Sequence, residues 1–452
     1  MKLSNDLGKD SVLSLVFRLA IPAMLSQLVN LLYSIIDRMY IGNIPEIGGL
    51  ALAGVGVCGP IVTFLASFGT LIGLGGSINM SIHMGAKENE KAKQILSNSF
   101  LALSVVSIAL TIIFLLIKDK LLLLFGASEI TFSYANTYLT IYTLGSFFAI
   151  MAIGLNFFIT CQGFSTVGMI TVIIGALTNI ILDTLFIFGL NMGVAGAAWA
   201  TVIAQFCSFL FAFLFLKSER IKIPITYGNY SLKLIKKIFT FGFSPFFILA
   251  TDSLILIVLN SMLQKYGGTN EGDLLISAAT IIQSYLLLIT GPLIGLTNGT
   301  QPLISYNYGA RKIKRVRLSE KYTLIFALCL TSTMFILTKF LAPIFIGFFT
   351  SEEKLVEISL WGIKASVLAV IPLSFQYCFV DCFTAVSRVK TAFCLSIFRK
   401  SVYMISTYFL PIFFVAKSAF YAQPIADIIG SITCYITFYY IFNRHLKRRM
   451  LN

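Results

Sequence analysis

The chain has 452 residues, of which 57% are hydrophobic and only 12% are charged, and its formal net charge is +15. Soluble domains are about 25% charged, so this composition excludes an ordinary soluble domain and favours a membrane protein. A basic chain can also be a nucleic-acid-binding protein, but the positions of its Lys and Arg residues argue against that class.

Twelve apolar segments follow one another along the chain, each about as long as a helix that crosses a bilayer, which needs roughly 20 residues. They predict an all-α integral membrane protein with twelve transmembrane helices. The first is too long for the apolar part of a signal peptide and lacks a small-residue cleavage site, so we expect a span there. The segments are 14–41, 51–82, 95–117, 131–158, 167–189, 194–216, 238–263, 274–304, 322–348, 357–384, 391–416 and 418–442.

The basic residues are distributed unevenly between the two sides of the predicted membrane. The N-terminus, counted with Arg18 at the start of the first span, and the loops after even-numbered spans hold 24 of the 34 Lys and Arg residues, whereas the loops after odd-numbered spans hold five. This is the positive-inside pattern, which predicts a multi-pass protein of the bacterial plasma membrane with both termini in the cytoplasm. Anionic lipid headgroups explain the charge, so we expect contact with the bilayer and no nucleic-acid partner.

An internal repeat divides the chain into two halves at an offset near 223 residues. Six spans per half is an even number, so both halves enter the membrane from the same side, as in a parallel repeat. We therefore predict two six-helix lobes, 1–216 and 238–452, joined by a basic cytoplasmic linker, 217–237. The matches are Pro22 with Pro245, Asp37 with Asn260, Gly69-x-x-x-Gly73 with Gly291-x-x-x-Gly295, and the Gly-Ala-Lys/Arg ends of Ser81–Lys87 and Ser305–Arg311.

Two polar residues interrupt the apolar run of span 5, Asn179 and Asp183. A carboxylate in hydrocarbon costs about 2.5–3.5 kcal/mol on insertion scales, so it stays only where it faces a cavity, a partner or a pathway. One helical turn separates the two residues, which places them on the same face. An amide oxygen beside a carboxylate can hold a proton or a small cation, and this predicts ion-coupled transport.

Other polar residues in the predicted spans extend this candidate site. Asp37 and Thr201 lie at the same outer depth as Asn179 and Asp183, so the predicted ion-coupling residues are these four. The coupling ion is a proton or sodium, with the proton favoured, and no other cofactor or metal site is expected. In an alternative interpretation, Asp37 pairs with Arg38 or caps its span.

The second half has its own charged residues within spans. Asp252 in span 7 and Asp427 in span 12 are candidates for a proton carrier or for a structural role. Asp381 lies near the cytoplasmic end of span 10, where a gate or a local ion pair is expected. Arg399 and Lys400 are expected to snorkel or to pair with one of the acids.

Eight segments carry motifs that can be compared with known families: 21–27, 33–42, 162–163, 179–183, 193–205, 301–302, 308–310 and 423–427. Together they resemble the motifs of the multidrug and toxic compound extrusion (MATE) family over essentially the full length. This resemblance implies a two-lobed antiporter that exports organic, often cationic compounds against a proton or sodium gradient. It implies that Asp37 and Asp183 bind the coupling ion with Asn179 and Thr201, and it places Tyr138 and Asn156 nearby.

The candidate cavity residues are therefore Tyr33, Tyr138, Asn156, Asp252 and Asp427. The cargo is predicted to be small organic cations, because acids outnumber the basic residues deep in the spans, and the protein is expected to act as a monomer. A flippase for lipid-linked oligosaccharides or peptidoglycan precursors is the alternative, although it would need several basic residues in its cavity. A membrane enzyme is not expected, because metal, nucleophile and phosphate-binding motifs are absent from the sequence.

Overall fold

The computed structural model describes residues 5–125, 127, 129–350 and 352–451, and these residues are helical apart from short connections. The helices in chain order are α1 (Val12–Gly42), α2 (Gly48–Gly85), α3 (Asn89–Leu124), α4 (Glu129–Thr160), α5 (Ser165–Asp183), α6 (Gly193–Lys217), α7 (Leu232–Gly268), α8 (Leu274–Gly309), α9 (Ile313–Gly347), α10 (Glu353–Val367), α11 (Val370–Ala385), α12 (Val389–Phe413) and α13 (Ala422–Leu451).

Among the described residues, ten helices are long and apolar enough to cross a membrane, and an eleventh is counted if the bent pair α10 and α11 forms one span. A helix satisfies its own backbone hydrogen bonds, which is what the hydrocarbon core requires. Helix α12 lies at the predicted eleventh span, but Arg399 and Lys400 in its middle lower its hydropathy. The predicted all-helical membrane fold is confirmed, and its twelve-span form is supported by the comparisons below.

Two breaks interrupt the helices of the second half, one in the predicted loop between spans 7 and 8 and one inside predicted span 10. Helices α7 and α8 form one helical stretch that is broken at Gly268, whose φ of 65° is accessible to glycine without strain. Predicted span 10 is two helices, α10 and α11, that meet at an angle of 49°. Helices broken in this way are a recurrent element of secondary transporters.

The repeated motif at the ends of α2 and α8 has the same backbone structure in both halves. Lys87 and Arg311 both have left-handed backbones, with φ values of 63° and 58°. The N–H groups of the following residues, Glu88 and Lys312, each donate at 2.9 Å to the carbonyl five residues earlier. The sequence repeat is therefore also a structural repeat at this helix end.

The chain divides into two compact units. The first unit contains Met1–Asp10 and Leu25–Leu249, and the second contains Ser11–Met24 and Ala250–Asn452. The boundaries fall inside α1 and α7, after Met24 and Leu249, within two residues of equivalent positions in the repeat. The first part of α1 thus belongs to the second unit, and the first part of α7 belongs to the first unit. The lobe limits expected from the sequence remain a prediction.

Glycines allow close helix crossings inside each unit. In the first unit, a Cβ on Gly242 of α7 would overlap the backbone of Leu71 in α2. In the second unit, a Cβ on Gly299 of α8 would lie 2.7 Å from the carbonyl oxygen of Leu19 in α1. Only glycine lets the helix backbones approach this closely, so these contacts fix the exchanged parts of α1 and α7.

Candidate functional site

A cavity of about 290 Å³ lies inside the first unit. Its walls come from α1, α2, α4, α5 and α6, and short side chains such as Ala152, Ala176 and Ala204 leave the space open. The polar residues along it are Asn30, Tyr33, Tyr142, Asn156, Thr171, Thr201, Gln205 and Ser208. The cavity therefore combines an apolar wall with a few polar groups, as small-molecule sites usually do.

The four predicted ion-coupling residues are buried in the same unit as this cavity. Asn179 and Asp183 are fully buried, and Asp37 and Thr201 are exposed by only 8% and 2%. The amide nitrogen of Asn179 donates to the hydroxyl of Thr201 at 3.3 Å, which joins α5 to the cavity wall on α6. This bond leaves the amide oxygen of Asn179 free to face another group.

Several buried oxygens at this place have no hydrogen-bond donor among the described residues. They are both carboxyl oxygens of Asp183, one of Asp37 and the amide oxygen of Asn179. A buried acceptor without a donor costs about 1–3 kcal/mol, and more when it is charged. Such a group of acceptors is stabilised by a bound proton or cation, because either one supplies the missing positive partner.

Asp37 and Asp183 also lie close enough to interact electrostatically with each other, and Tyr33 is within range of both. Among the described residues, no basic nitrogen lies within 4.0 Å of a carboxylate oxygen of either acid, which is the distance of an ion pair. Arg38 is therefore not in an ion pair with Asp37, although it is close enough to act on it electrostatically. Two neighbouring carboxylates repel when both are ionised, which favours a shared proton or cation.

The helix geometry changes immediately after Asp183. Helix α5 continues as a wider π-helical turn, Thr184–Gly189, in which the N–H of Leu190 bonds to the carbonyl of Leu185 at 2.8 Å. Such turns are rare and often mark functional sites. The sequence pattern did not indicate this feature, since an apolar run looks the same in either kind of helix.

The predicted cavity residues of the first half lie around the cavity. Tyr33 and Asn156 line it directly, and Asn156 donates to the carbonyl of Gly168 at 2.9 Å. Tyr138 is buried beside it, with its ring stacked 6.2 Å from that of Tyr142, which does line the cavity. These three residues and the four ion-coupling candidates therefore lie in one unit.

Asp252 and Asp427 lie in the second unit, apart from the other candidates. Asp427 is buried and accepts from the guanidinium of Arg399 at 2.6 Å. Asp252 forms an ion pair with Lys400. Both acids therefore have basic partners, which distinguishes them from Asp37 and Asp183.

Sequence reasoning missed several cavity residues, among them Asn30, Tyr142, Gln205 and Ser208. A signal for two of them was present, because Thr201, Gln205 and Ser208 are spaced by four and three residues. Positions with that spacing share one face of a helix, so the polar face of α6 could have been found from Thr201.

The described residues contain no group of three His, Cys, Asp or Glu side chains that could hold a metal ion.

A repeated all-helical membrane fold with buried, unpaired carboxylates beside a cavity defines the class of secondary transporters. The chain belongs to the MatE family, whose sequence model matches residues 22–185 and 245–410. This confirms the resemblance found in the sequence and the interpretation as a membrane transporter rather than an enzyme.

Similar proteins extend over nearly the whole chain. The multidrug export protein MepA of Staphylococcus saprophyticus is 24% identical over 418 residues, which cover 91% of this chain and 89% of that protein. MepA of Staphylococcus aureus (strain NCTC 8325) is 25% identical over 423 residues, with the same coverage.

Solved structures show the same fold. A structure described as the outward-facing conformation of a multidrug resistance MATE family transporter superposes with a TM-score of 0.90 at 20% identity, covering 100% of this chain and 99% of the other. A MOP superfamily transporter from Pyrococcus furiosus, described as having a binding pocket of reverse polarity, superposes with a TM-score of 0.88 at 21% identity, covering 95% and 96%. The fold of this multi-pass membrane protein is therefore that of the family.

Proposed function

We propose that this protein is a multidrug exporter, an antiporter that exchanges amphipathic, often cationic organic compounds for protons or sodium. The observation that supports this most strongly is the group of buried acceptor oxygens on Asp37, Asn179 and Asp183 beside the cavity. The MepA relatives, named as multidrug export proteins, support the same function.

The exchange at this site follows from charge balance. With both carboxylates empty, the buried site carries negative charge that water solvates poorly, so the free energy favours uptake of a cation. An organic cation that enters the cavity supplies the balancing positive charge itself and lowers the affinity of the carboxylates for the proton or sodium. Cargo and coupling ion therefore compete, and this competition is the basis of antiport.

The coupling ion is proposed to be a proton, with sodium as the alternative. A carboxyl pair can share one proton without any further ligand. Sodium would instead need several oxygens, and Asp37, Asn179, Asp183 and Thr201 could together supply them. Efflux that requires sodium at a clamped pH, and that potassium does not support, would overturn the preference for protons.

The proposed cargo is a planar, lipophilic monovalent cation such as ethidium. Tyr33 and Tyr142 supply aromatic faces in the cavity wall, and aromatic faces attract organic cations. We further propose that the protein acts as a monomer in the bacterial plasma membrane with both termini in the cytoplasm, as the distribution of Lys and Arg favours.

The test is ethidium efflux from proteoliposomes under an imposed pH or sodium gradient. Asp183→Asn keeps the shape of the side chain but removes the exchangeable charge, so we expect gradient-driven efflux to be lost while the protein remains folded. Asp119→Asn is the control, because Asp119 is an exposed acid paired with Lys118 and should keep wild-type efflux. Wild-type efflux in Asp183→Asn would contradict the proposal.

The same preparation separates the exporter from a flippase. A flippase for pyrophosphate-linked lipids needs basic side chains that are available to the phosphates. Arg399 and Lys400 are already paired with Asp427 and Asp252, which favours the exporter. Accumulation of a lipid-linked precursor on deletion of the gene, with unchanged drug resistance, would favour the flippase.

A further inference from the structure

The two halves of the chain can be aligned around the cavity. Trp199-Ala-Thr-Val-Ile-Ala-Gln205 of α6 matches Tyr421-Ala-Gln-Pro-Ile-Ala-Asp427, at the start of α13, at an offset of 222. This alignment makes Thr201 equivalent to Gln423 and Gln205 equivalent to Asp427. Both Thr201 and Gln205 line the cavity of the first unit.

Helices α5 and α12 align in the same way from their first residues. The residues that precede them, Phe164 and Arg388, are 224 positions apart. At this offset, Gly175 is equivalent to Arg399 and Ala176 to Lys400. Two small residues that line the cavity in the first unit are thus replaced by two long basic residues in the second.

The packing against the neighbouring helix supports this alignment. In the first unit Gly175 faces Ser208, whose hydroxyl a Cβ on the glycine would overlap. In the second unit the equivalent of Ser208 is Gly430, and a Cβ there would lie 2.8 Å from Cγ of Arg399. The glycine of this contact is on α5 in the first unit and on α13 in the second, where it leaves room for the long side chain of Arg399.

The charges of the two units also differ at this place. Arg399 and Lys400 are exposed by only 8% and 6%, and they form ion pairs with Asp427 and Asp252. The Arg399 guanidinium also lies 5.8 Å from the centre of the Tyr377 ring. At this place the second unit pairs two acids with two bases, whereas Asp37 and Asp183 of the first unit form no ion pair among the described residues. Two other acids of the second unit, Glu320 and Asp381, form no ion pair among the described residues either.

We propose that Arg399 and Lys400 are tethered counter-ions, which neutralise Asp427 and Asp252 where the first unit has small residues and an open cavity. Asp427 and Asp252 therefore exchange no coupling ion, in contrast to Asp37 and Asp183 of the first unit. This inference rests on the proposed function only where it names the site of Asp37 and Asp183 as the exchanging one.

The proposal predicts what happens when one tether is removed. Arg399→Met keeps most of the apolar length of the side chain but removes its charge, so Asp427 is left buried without a cation. Asp427 should then accept a proton as the pH falls, and the second unit should acquire a site that exchanges ions. The protein would bind one more proton per chain than the wild type.

The experiment counts protons taken up by the purified chain in lipid nanodiscs between alkaline and acidic pH, in buffer free of sodium, with an indicator dye. Arg399→Met should take up one proton more than wild type, whereas Asp427→Asn and the double variant should equal wild type. An uptake in Arg399→Met equal to that of wild type would overturn the proposal, as would a gain that persists in the double variant.

Two further readouts keep the test decisive. If Arg399→Met does not fold, Asp427→Asn decides alone, because a loss of one proton in that variant would mean that Asp427 exchanges protons in the wild type and would contradict the tether. Asp183→Asn reports separately on the first unit, since its effect on uptake concerns the proposed antiport and leaves the comparison of Arg399 variants unaffected.

Discussion

The segment between α6 and α7 is held against the first unit, and one side chain provides a measurable part of this attachment. The amide of Gln162 accepts from the N–H of Ile223 at 2.9 Å and donates to its carbonyl at 3.1 Å. Both residues are buried, with 4% of Gln162 and 1% of Ile223 exposed. Gln162→Leu keeps the size of the side chain and removes both bonds.

The expected cost follows from the two backbone groups left without partners. Each unsatisfied buried group costs about 1–3 kcal/mol. Some relaxation is expected, so we take the lower end, about 2 kcal/mol, for the attachment of the segment. Since about 1.4 kcal/mol is a factor of ten, the detached population should rise roughly thirtyfold.

Trypsin cleavage after Arg220 or Lys222 measures this population, because the backbone must leave the surface to enter the protease and the rate follows the open fraction. Gln162→Leu should therefore be cleaved roughly thirtyfold faster than wild type. Gln94→Leu is the control, since the carbonyl of Asn229 that Gln94 bonds also accepts from Asn98. Equal rates in wild type and Gln162→Leu would refute the reasoning.

Three other changes test the packing and the site. Gly242→Ala should lower the melting temperature in a thermal-shift assay because its Cβ would overlap the Leu71 backbone, whereas Gly291→Ala should not, having open space around it. Thr201→Val removes the hydroxyl that accepts from the amide of Asn179, a bond of about 1 kcal/mol that orients this amide in the ion site. Without that orientation the affinity for the coupling ion should fall, so that the ion concentration at half-maximal efflux rises about fivefold. Ala176→Phe should fill part of the cavity and weaken ethidium binding, measured by fluorescence titration, and unchanged affinity would mean that the cargo binds elsewhere.

Much of the fold follows from the sequence because each lipid-crossing helix needs a long apolar run and because the repeat appears in a few fixed motifs. The Gly-Ala-Lys/Arg motif even indicated a helix end that has the same backbone in both halves. The break at Gly268 falls in the predicted loop between spans 7 and 8, but the bend between α10 and α11 was not predicted, since hydropathy counts apolar residues and is insensitive to backbone direction.

The site was predictable in part for a similar reason. A charge in an apolar run is conspicuous, so Asp37, Asn179 and Asp183 could be singled out. Which charges are paired depends on tertiary contacts, and the sequence left open which acid Arg399 and Lys400 would meet. Cavity residues such as Tyr142 were missed because aromatic side chains that face lipid, packing or a cavity look alike in a hydrophobic helix.

The central claim is that cargo and coupling ion compete at the buried carboxylates of the first unit. The most direct test titrates ethidium into the purified protein in weakly buffered solution, with a pH electrode and a sodium electrode in the cell. We predict that wild type releases a proton, or a sodium ion in the alternative, as ethidium binds, and that Asp183→Asn binds ethidium without this release. Equal release in both proteins, or ethidium binding to wild type with no release of either ion, would contradict the account.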